Sequence, residues 1–355
     1  MAIWMELMKV QKGMNMSEFE NQNGLVNYNG NRKASYEKQF GLVDFEKFFF
    51  ACCVVAYHVQ PWKCVDGLVA LVINAISNLG VVFFFIISGF LIGVRSQEDK
   101  FKKRIKHQIF RILKLWIIWE IIYFPFVFWG GGQKKHLFMT IVSNIILGSY
   151  AHLWYLRATV VGLIVIYLLW NNEKKYIIYI TMIVSLSIGL YGLNIYKYGT
   201  CLEIDYINNI SNMFRNGIFF GFPCLMIGMI ISKIKLHNNG TLHIVAIFIF
   251  ILYVLEFEKY KSQLSLCLIL FVVCLVLMAV NINIKFKCNS VFMRHMSTLI
   301  YFIHYGVYCI VSHFNRKFIK INELKQYAIV MLTTILLALL ILKIGEKVKC
   351  IKMLY

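Results

Sequence analysis

Long apolar stretches alternate with short polar segments along the chain after residue 40. A helix needs about 20 apolar residues to cross about 30 Å of hydrocarbon, because each residue advances the helix axis by about 1.5 Å. We predict ten membrane-spanning helices from this pattern: 42–59, 69–94, 109–129, 152–170, 175–193, 216–233, 241–256, 263–281, 297–314 and 326–345. Helices satisfy their own backbone hydrogen bonds in lipid, so the predicted fold is all-α, a polytopic membrane helical bundle.

The composition of the chain is typical of a membrane protein rather than of a soluble enzyme. Of its 355 residues, 59% are hydrophobic and 15% are charged, whereas soluble domains have about 45–50% apolar residues. The formal charge of +20 could indicate a nucleic-acid partner. The Lys and Arg residues are concentrated in short patches between the apolar stretches, however, so we interpret them as determinants of membrane topology and expect no nucleic-acid partner.

Short basic segments predict the orientation of the bundle. The segment 95–106, between the second and third predicted helices, is rich in Lys and Arg, and such short loops face the cytoplasm. An even number of spans then places both termini in the cytoplasm, although the basic segment 316–325 falls outside. We therefore predict a polar cytoplasmic tail at 1–40, a transmembrane domain at 41–345 and a short basic cytoplasmic tail at 346–355. Frequent Ile, Lys and Asn suggest a bacterial source and hence the bacterial cytoplasmic membrane.

Two cysteines fall in predicted external loops. Cys64 and Cys201 could form a disulfide in an oxidising exterior, although the sequence alone does not show that they meet. Most of the other cysteines lie in predicted spans, where a thiol usually behaves as a small apolar group.

The first predicted helix carries ionisable residues on one face. His58 follows Lys47 by eleven residues, which at about 100° per residue returns to nearly the same face, and Asp44 lies one turn before Lys47. The rise from Lys47 to His58 is about 16 Å, so the imidazole lies past the middle of the bilayer. An ion pair with Asp44 would explain Lys47, and packing would explain His58. Ionisable groups in the membrane are costly, however, so we favour a function for His58.

Five segments, in order, resemble motifs of the acyltransferase-3 family of integral membrane O-acyltransferases. They are Lys47 followed after ten residues by His58, and the segments 83–92, 152–156, 215–223 and 300–304. The segment 215–223 is similar to a branch of the family near the membrane domain of vancomycin-resistance serine racemases. Together the matches span about residues 41–345, and their common order makes the resemblance specific.

The chain also departs from the family pattern. Lys47 stands where the family more often has Arg. Of two arginines that the family often has at the start of the third span, only Arg111 is kept, and Gln108 occupies the other position. Tyr305 follows His304 where Pro is common, and Arg157 lies where the family usually has a neutral residue. These departures affect the inference about which acyl donor and acceptor the protein uses more than they affect the resemblance to the family.

The resemblance implies transfer of an acyl group, usually acetyl, from cytosolic acetyl-CoA to a hydroxyl of a carbohydrate or other cell-envelope acceptor. Acetyl-CoA is then a co-substrate, and we expect no permanently bound cofactor and no metal. A hydroxyl is a poor nucleophile, and an imidazole with an ordinary pKa of about 6.5 suits a general base. We assign His58 and Lys47 as the catalytic residues. General-base catalysis and an acyl-histidine intermediate both remain open.

Candidate donor-binding residues lie toward the predicted cytoplasmic side. Arg104, Lys106 and Arg111 could bind the phosphates of CoA, or they could fix topology and bind anionic lipid. Ser88 could line the donor path, although Ser88 and Gly89 also permit close helix approach. We place His304 about two turns into its span on the same path, with a packed histidine as the alternative.

Candidate acceptor-binding residues are Trp154, Arg215, Glu120 and Arg157. Trp154 and Arg215 are predicted near the outer face, where Trp is common at the membrane interface but can also hold a sugar. Glu120 and Arg157 lie on spans that run in opposite directions. A mutual ion pair is their first explanation and a polar acceptor pocket the second.

Two other function classes compete with the enzyme. A transporter or flippase could move a polar or lipid-linked substrate through the same bundle without acyl chemistry, and a racemase-associated module could act by binding alone. Charged residues at depth favour transport, whereas the sequence has no inverted repeat that would support it.

Overall fold

Ten helical segments build the part of the chain that the structure describes. The computed structural model describes residues 41–95, 100–125, 152–171, 173–194, 213–234, 240–281 and 290–355, and the predicted tail 1–40 lies outside these ranges. The helices are α1 (Gly41–Val59), α2 (Gly67–Val94), α3 (Phe101–Tyr123), α4 (Trp154–Leu169), α5 (Lys175–Leu193), α6 (a π-turn at Gly217–Gly221 continued by Phe222–Ile231), α7 (Thr241–Tyr260), α8 (Leu266–Asn281), α9 (Ser290–Phe314) and α10 (Glu323–Lys347). The described ranges contain no strand. The predicted all-α bundle is confirmed.

The helices have the surface of a multi-pass membrane protein. Four of them, α2, α5, α7 and α10, are long and apolar enough to cross a membrane, and α4, α6 and α8 are shorter apolar helices. Apolar side chains such as Leu168, Ile180, Ile247 and Leu332 are more than half exposed. Large exposed apolar surfaces are stable where lipid rather than water covers them.

Two helices begin earlier than hydropathy predicts. The third span was predicted from residue 109 but α3 begins at Phe101, and the ninth was predicted from residue 297 but α9 begins at Ser290. Lys and Arg favour helix nearly as well as Leu does. A window that selects apolar residues therefore finds only the segment that lies in lipid and omits the charged turns that extend the helix.

Glycines permit a close contact between α2 and α6. A Cβ atom added to Gly89 would overlap the carbonyl oxygen of Leu225, and one added to Gly228 would overlap that of Ile86. The predicted close approach at Gly89 is therefore present. One apolar core surrounds this contact, and a second core joins α1, α3, α9 and α10.

The chain end packs against the bundle. A 3₁₀-helix at Lys349–Leu354 follows α10, and the indole nitrogen of Trp119 donates to the carbonyl oxygen of Leu354 at 3.2 Å. The ring of Tyr355 lies 4.7 Å from that of His295. We call the end of the bundle that holds the start of α1 and the start of α9 the basic end. The cytoplasmic position of this end stays a prediction.

Candidate active site

His58 lies in the last turn of α1, directly before a sharp change of chain direction. The amide of Gln60 closes the helix by donating to the carbonyl oxygen of Ala56 at 2.7 Å. Gln60 has φ 62° and ψ 50°, and Pro61 begins a 3₁₀-turn that ends at Cys64. Proline cannot continue the hydrogen-bonding pattern of the helix, so the turn fixes the end of α1 next to the imidazole.

Three histidines meet around His304, which lies in the middle of α9. The ring centroid of His304 lies 5.3 Å from that of His58 and 5.4 Å from that of His152, which immediately precedes α4. Tyr305 contacts both of the other rings, at 5.1 Å from His58 and stacked at 5.0 Å from His152. We call His58, His152 and His304 the histidine cluster.

Hydrogen bonds orient part of this cluster and leave other atoms open. His304 Nδ1 lies 3.0 Å from the carbonyl oxygen of Ile300, so Nδ1 donates and Nε2 carries the lone pair. The hydroxyl of Tyr301 donates to the carbonyl oxygen of His152. Within the described ranges, His304 Nε2 and both ring nitrogens of His152 are buried with no hydrogen-bond partner. Buried polar atoms of this kind are unusual in folded proteins, where a protein group, a water, an ion or a ligand normally serves as partner.

Two members of the histidine cluster, His58 and His152, line a cavity between the helices. Helices α1, α2, α4, α6 and α9 and the segment between α7 and α8 enclose it. It is lined by Val54, Tyr57, His58, Ser77, Asn78, Val81, His152, Trp154, Tyr155, Arg215, Phe220, Gln263 and Tyr301. We call it the histidine cavity. Three residues predicted for the site from sequence, His58, Trp154 and Arg215, therefore line one space.

Arg215 and Trp154 form one wall of the histidine cavity. The guanidinium carbon of Arg215 lies 4.4 Å from the centre of the Trp154 ring, which is a cation–π contact. The next residue, Asn216, caps α6, because its side-chain oxygen accepts from the amides of Ile218 and Phe219 at 2.8 and 2.9 Å. The cap fixes the start of α6 and thereby positions Arg215 above the indole ring.

A polar segment between α7 and α8 closes another side of the cavity. The amide nitrogen of Gln263 donates to the hydroxyl of Tyr57 at 3.1 Å. Asn78 donates to the carbonyl oxygen of the neighbouring Ser262 at 2.9 Å, and Asn194 donates to that of Leu264 at 3.0 Å. These buried hydrogen bonds hold the segment, and with it Gln263, against the cavity.

Lys47 lies at the basic end and does not line the cavity. Its ammonium group is 3.2 Å from Asp44 Oδ1, and the guanidinium of Arg294 is 2.9 Å from Asp44 Oδ2. Ser290 also donates to Asp44 Oδ2 at 2.6 Å. The ion pair with Asp44 that was offered as the explanation of Lys47 is therefore present. A catalytic role of Lys47 stays a prediction.

The predicted donor-binding cations are also at the basic end. Arg104 donates to the carbonyl oxygen of Arg95 at 2.6 Å, and the charges of Arg95, Arg294 and Arg104 act on Arg111. Lys106 is exposed on α3. The structure thus places Arg104 and Arg111 near Arg95 and Arg294, and Arg294 had no predicted role.

The other two predicted donor-path residues lie farther from this end. The hydroxyl of Ser88 lies 3.2 Å from that of Tyr155, and Tyr155 lines the histidine cavity. His304 was placed two turns into its span, but α9 begins at Ser290, so the rise to His304 is about 21 Å. His304 therefore lies beside His58 rather than near the mouth of a donor path.

Glu120 and Arg157 do not line the histidine cavity. Glu120 accepts from the indole nitrogen of Trp116 at 2.9 Å, and its charge acts on Arg157. This arrangement agrees with the first explanation, a mutual charge interaction between α3 and α4. Their assignment to acceptor binding remains a prediction that no contact with the cavity supports.

Two further expectations concern a disulfide between Cys64 and Cys201 and the binding of a metal ion. Cys64 Sγ donates to the carboxylate of Glu323 at 3.1 Å, whereas Cys201 lies outside the described residues. In the ranges given above, no group of three His, Cys, Asp or Glu side chains could hold a metal ion.

Sequence reasoning missed three contributors to the site: His152, Tyr305 and Gln263. A signal for His152 was present, since it is the first residue of the motif at 152–156. No local pattern marks Tyr305 or Gln263, because their importance depends on which helices pack together. The site combines a cavity lined by two histidines with an aromatic ring and a cation, inside a helical bundle.

The chain belongs to the acyltransferase-3 family, whose acyltransferase domain matches residues 42–343. The match covers all ten helices except the ends of α1 and α10. The family expected from the five motifs is therefore confirmed, and the chain carries an acyltransferase domain of that family.

Two curated relatives are amino-acid racemases of Enterococcus faecalis. One is 26% identical over 207 residues, which are 54% of this chain and 29% of the relative. The other is 27% identical over 200 residues, which are 54% of this chain and 28% of the relative. The matched region is thus less than a third of each relative, and it agrees with the predicted branch of the family. No solved structure matches the chain significantly.

Proposed function

We propose that this protein transfers an acyl group, acetyl in the simplest case, from cytosolic acyl-CoA to a hydroxyl of a carbohydrate or other cell-envelope acceptor. The observation that carries the proposal is the position of His58. It lines an enclosed cavity in the membrane domain of a family of acyltransferases, together with an aromatic ring and a cation that can hold an acceptor.

In the proposed reaction, His58 acts as general base. The imidazole takes the proton of the acceptor hydroxyl while the oxygen attacks the thioester carbonyl. The new C–O ester bond forms, the C–S bond breaks, and the proton passes to the departing CoA thiolate. A general base contributes about 10²–10⁴-fold to such a step, because a neutral hydroxyl is a weak nucleophile.

The donor would approach from the basic end, which we place in the cytoplasm of a bacterial cell. Arg104, Lys106 and Arg111 offer positive charge for the phosphates of CoA, and charge-assisted hydrogen bonds to phosphate are stronger than neutral ones. The rise along α1 from Lys47 to His58 is about 16 Å. An extended pantetheine arm suits this separation between the charges of CoA and the base.

The first test replaces His58 by alanine. We expect acyl transfer to fall by about 10²–10⁴-fold, because the acceptor hydroxyl then has no base. Mass spectrometry of envelope glycans from cells that carry either variant measures the ester and identifies both the acyl group and the acceptor. His243→Ala is the matched control, since His243 lies in α7 and does not line the cavity.

The result discriminates between the candidate functions. Wild-type transfer by a folded His58→Ala protein would remove His58 from the chemistry. If cells with and without the protein show no difference in any ester, the enzyme proposal fails and the transporter alternative takes its place. Incubation with acyl-CoA alone, followed by mass spectrometry of the protein, separates the two mechanisms, because only an acyl-histidine intermediate adds the acyl mass to the peptide that contains His58.

A further inference from the structure

Arg215 brings a positive charge into the histidine cavity that no carboxylate of the described residues balances. Among the described residues that line the cavity, none is Asp or Glu. Tyr57 and Tyr301, which carry hydroxyl groups, line the same cavity. The Nε atom of Arg215 is buried without a hydrogen-bond partner in the described part of the chain.

The surroundings of Arg215 compensate only part of the cost of removing it from water. A buried charge needs both an opposite charge and hydrogen bonds. The Trp154 ring supplies a cation–π contact at 4.4 Å, and a ring of this kind offers no hydrogen-bond acceptor to the guanidinium edge. The edge of a guanidinium binds carboxylate or phosphate through two parallel hydrogen bonds.

The opposite case occurs at the basic end of the same molecule. There Arg294 makes two hydrogen bonds to the carboxylate of Asp44, at 3.3 and 2.9 Å. The chain thus provides a carboxylate for a half-exposed arginine but, within the described ranges, none for the more enclosed Arg215. A missing counter-charge at an enclosed cation is what a site for an anionic ligand requires.

We infer that the acceptor carries an anionic group, a carboxylate or a phosphate, which Arg215 binds while a hydroxyl of the same molecule faces His58. This inference rests on the proposed function, because only a protein that transfers an acyl group has an acceptor. It deepens that function by limiting the acceptor to hydroxylated acids such as uronic acids, other acidic sugars or sugar phosphates. Neutral polar groups on the cavity wall, Asn78 and Gln263, suit the remaining hydroxyls.

The amide groups at the start of α6 do not explain this anion site by themselves. The side chain of Asn216 already accepts from the amides of Ile218 and Phe219. Two of the donors that a helix start could offer to an anion are therefore occupied. The selectivity should depend on Arg215, which makes the inference accessible to a single substitution.

The test measures binding of matched pairs of small molecules to the purified full chain in detergent. The pairs are glucuronate with glucose, N-acetylmuramate with N-acetylglucosamine, and glycerol 3-phosphate with glycerol, each by equilibrium binding at millimolar concentration. We expect the anionic member of at least one pair to bind more tightly. Arg215→Gln should weaken that binding by about ten- to hundredfold, the usual value of a charge-assisted hydrogen bond. Arg215→Lys should restore part of it. The three pairs also distinguish a sugar carboxylate from a phosphate.

Arg316→Gln is the matched control, because it removes the same charge from an exposed arginine that does not line the cavity. It should leave the preference for anions unchanged. Equal binding of the neutral and anionic members of all pairs would overturn the inference. So would an equal loss of anion binding in Arg316→Gln, since the effect would then come from net charge.

A final variant tests whether the chain itself neutralises Arg215. Glu203 and Asp205 precede Arg215 in the sequence and lie outside the described residues. If Glu203→Gln with Asp205→Asn gains anion binding that the wild type lacks, Arg215 is paired within the chain and the inference is wrong. Arg215-dependent anion binding without any acyl transfer would instead retain the anion site and overturn the proposed function, so the two failures are distinguishable.

Discussion

The buried polar groups at the two ends of α1 differ in whether they have partners within the described part of the chain. At the basic end, the buried carboxylate of Asp44 is bound by Lys47, Ser290 and Arg294. At the other end, His152 and His304 keep buried ring nitrogens without partners in the described part of the chain, and Arg215 keeps a buried Nε. The charges around Asp44 are satisfied within the chain, although Oε2 of the nearby Glu46 is buried without a partner in the described residues. The second region leaves several such atoms beside a cavity.

This difference distinguishes the two regions of α1. The charges around Asp44 have a structural role, whereas the surroundings of His58 form the candidate site. A folded chain gains stability when buried polar atoms find partners, and each unpartnered buried atom costs about 1–3 kcal/mol. Such a cost is retained where a ligand supplies the partner during function. Asp44 and its partners should therefore matter most for folding, and the histidine cavity should matter most for transfer.

The largest effect on stability is expected from Asp44→Asn. The substitution leaves Lys47, whose side chain is 13% exposed, without a counter-charge, and breaking a buried pair in this way costs about 3 kcal/mol or more. Arg294→Gln should cost only about 1 kcal/mol, because Arg294 is 45% exposed and Asp44 keeps Lys47 and Ser290. Thermal unfolding of the purified proteins in detergent measures the order of the two effects.

This comparison also has an outcome that would break it. If Asp44→Asn unfolds at the same temperature as the wild type, the charges at the basic end do not hold the helices together. These charges would then be available to a ligand, which would support the predicted catalytic role of Lys47.

A smaller effect, on transfer rather than stability, is expected from His304. Its Nδ1 is bound to the Ile300 carbonyl oxygen while Nε2 has no partner in the ranges described, and the ring lies 5.3 Å from that of His58. We expect His304→Asn, whose amide nitrogen can replace Nδ1, to lower kcat by about 10- to 10²-fold, as misplacement of a catalytic group does. His304→Gln, whose amide lies closer to the position of Nε2, should retain more activity.

The pair of variants distinguishes positioning of His58 from packing. A merely structural His304 would be replaced equally well or better by Asn, which preserves the bond to Ile300. The pH profile of kcat gives a second measurement, because a residue that acts through His58 should change that profile and a packing residue should not. An unchanged profile with greater activity for Asn than for Gln would remove His304 from the site.

Hydropathy predicts the order and class of the helices because the chemistry of lipid acts on every residue of a span. Hydropathy places the ends of helices inaccurately, as α3 and α9 show, because charged turns outside lipid can also be helical. The π-turn at Gly217–Gly221 was also not predicted, since it depends on the packing of α6 against its neighbours.

Sequence predicts single site residues better than their arrangement. His58 stood out because an imidazole in a span is costly, and Trp154 and Arg215 stood out as a ring and a cation in family-like segments. That all three line one cavity follows from the contacts of α1, α4 and α6. His152 and Gln263 join the site through such contacts. The motif at 152–156 marks His152 in the sequence, whereas no local pattern marks Gln263.

The smallest effect is expected at Ser88, which lies between the two regions. Tyr155 donates to the carbonyl oxygen of Phe84 at 3.1 Å, so the hydroxyl of Ser88 is the donor in its 3.2 Å contact with Tyr155. Ser88→Ala removes one hydrogen bond and should lower the free energy of unfolding by about 1 kcal/mol. Because Tyr155 lines the cavity, the KM for acyl-CoA should rise by at most about fivefold, the equivalent of the same energy. Thermal unfolding and steady-state kinetics on one preparation measure both. A stability loss with constant KM would group Ser88 with the internally satisfied residues of the basic end, whereas a fall in kcat as large as that of His304→Asn would place it in the site.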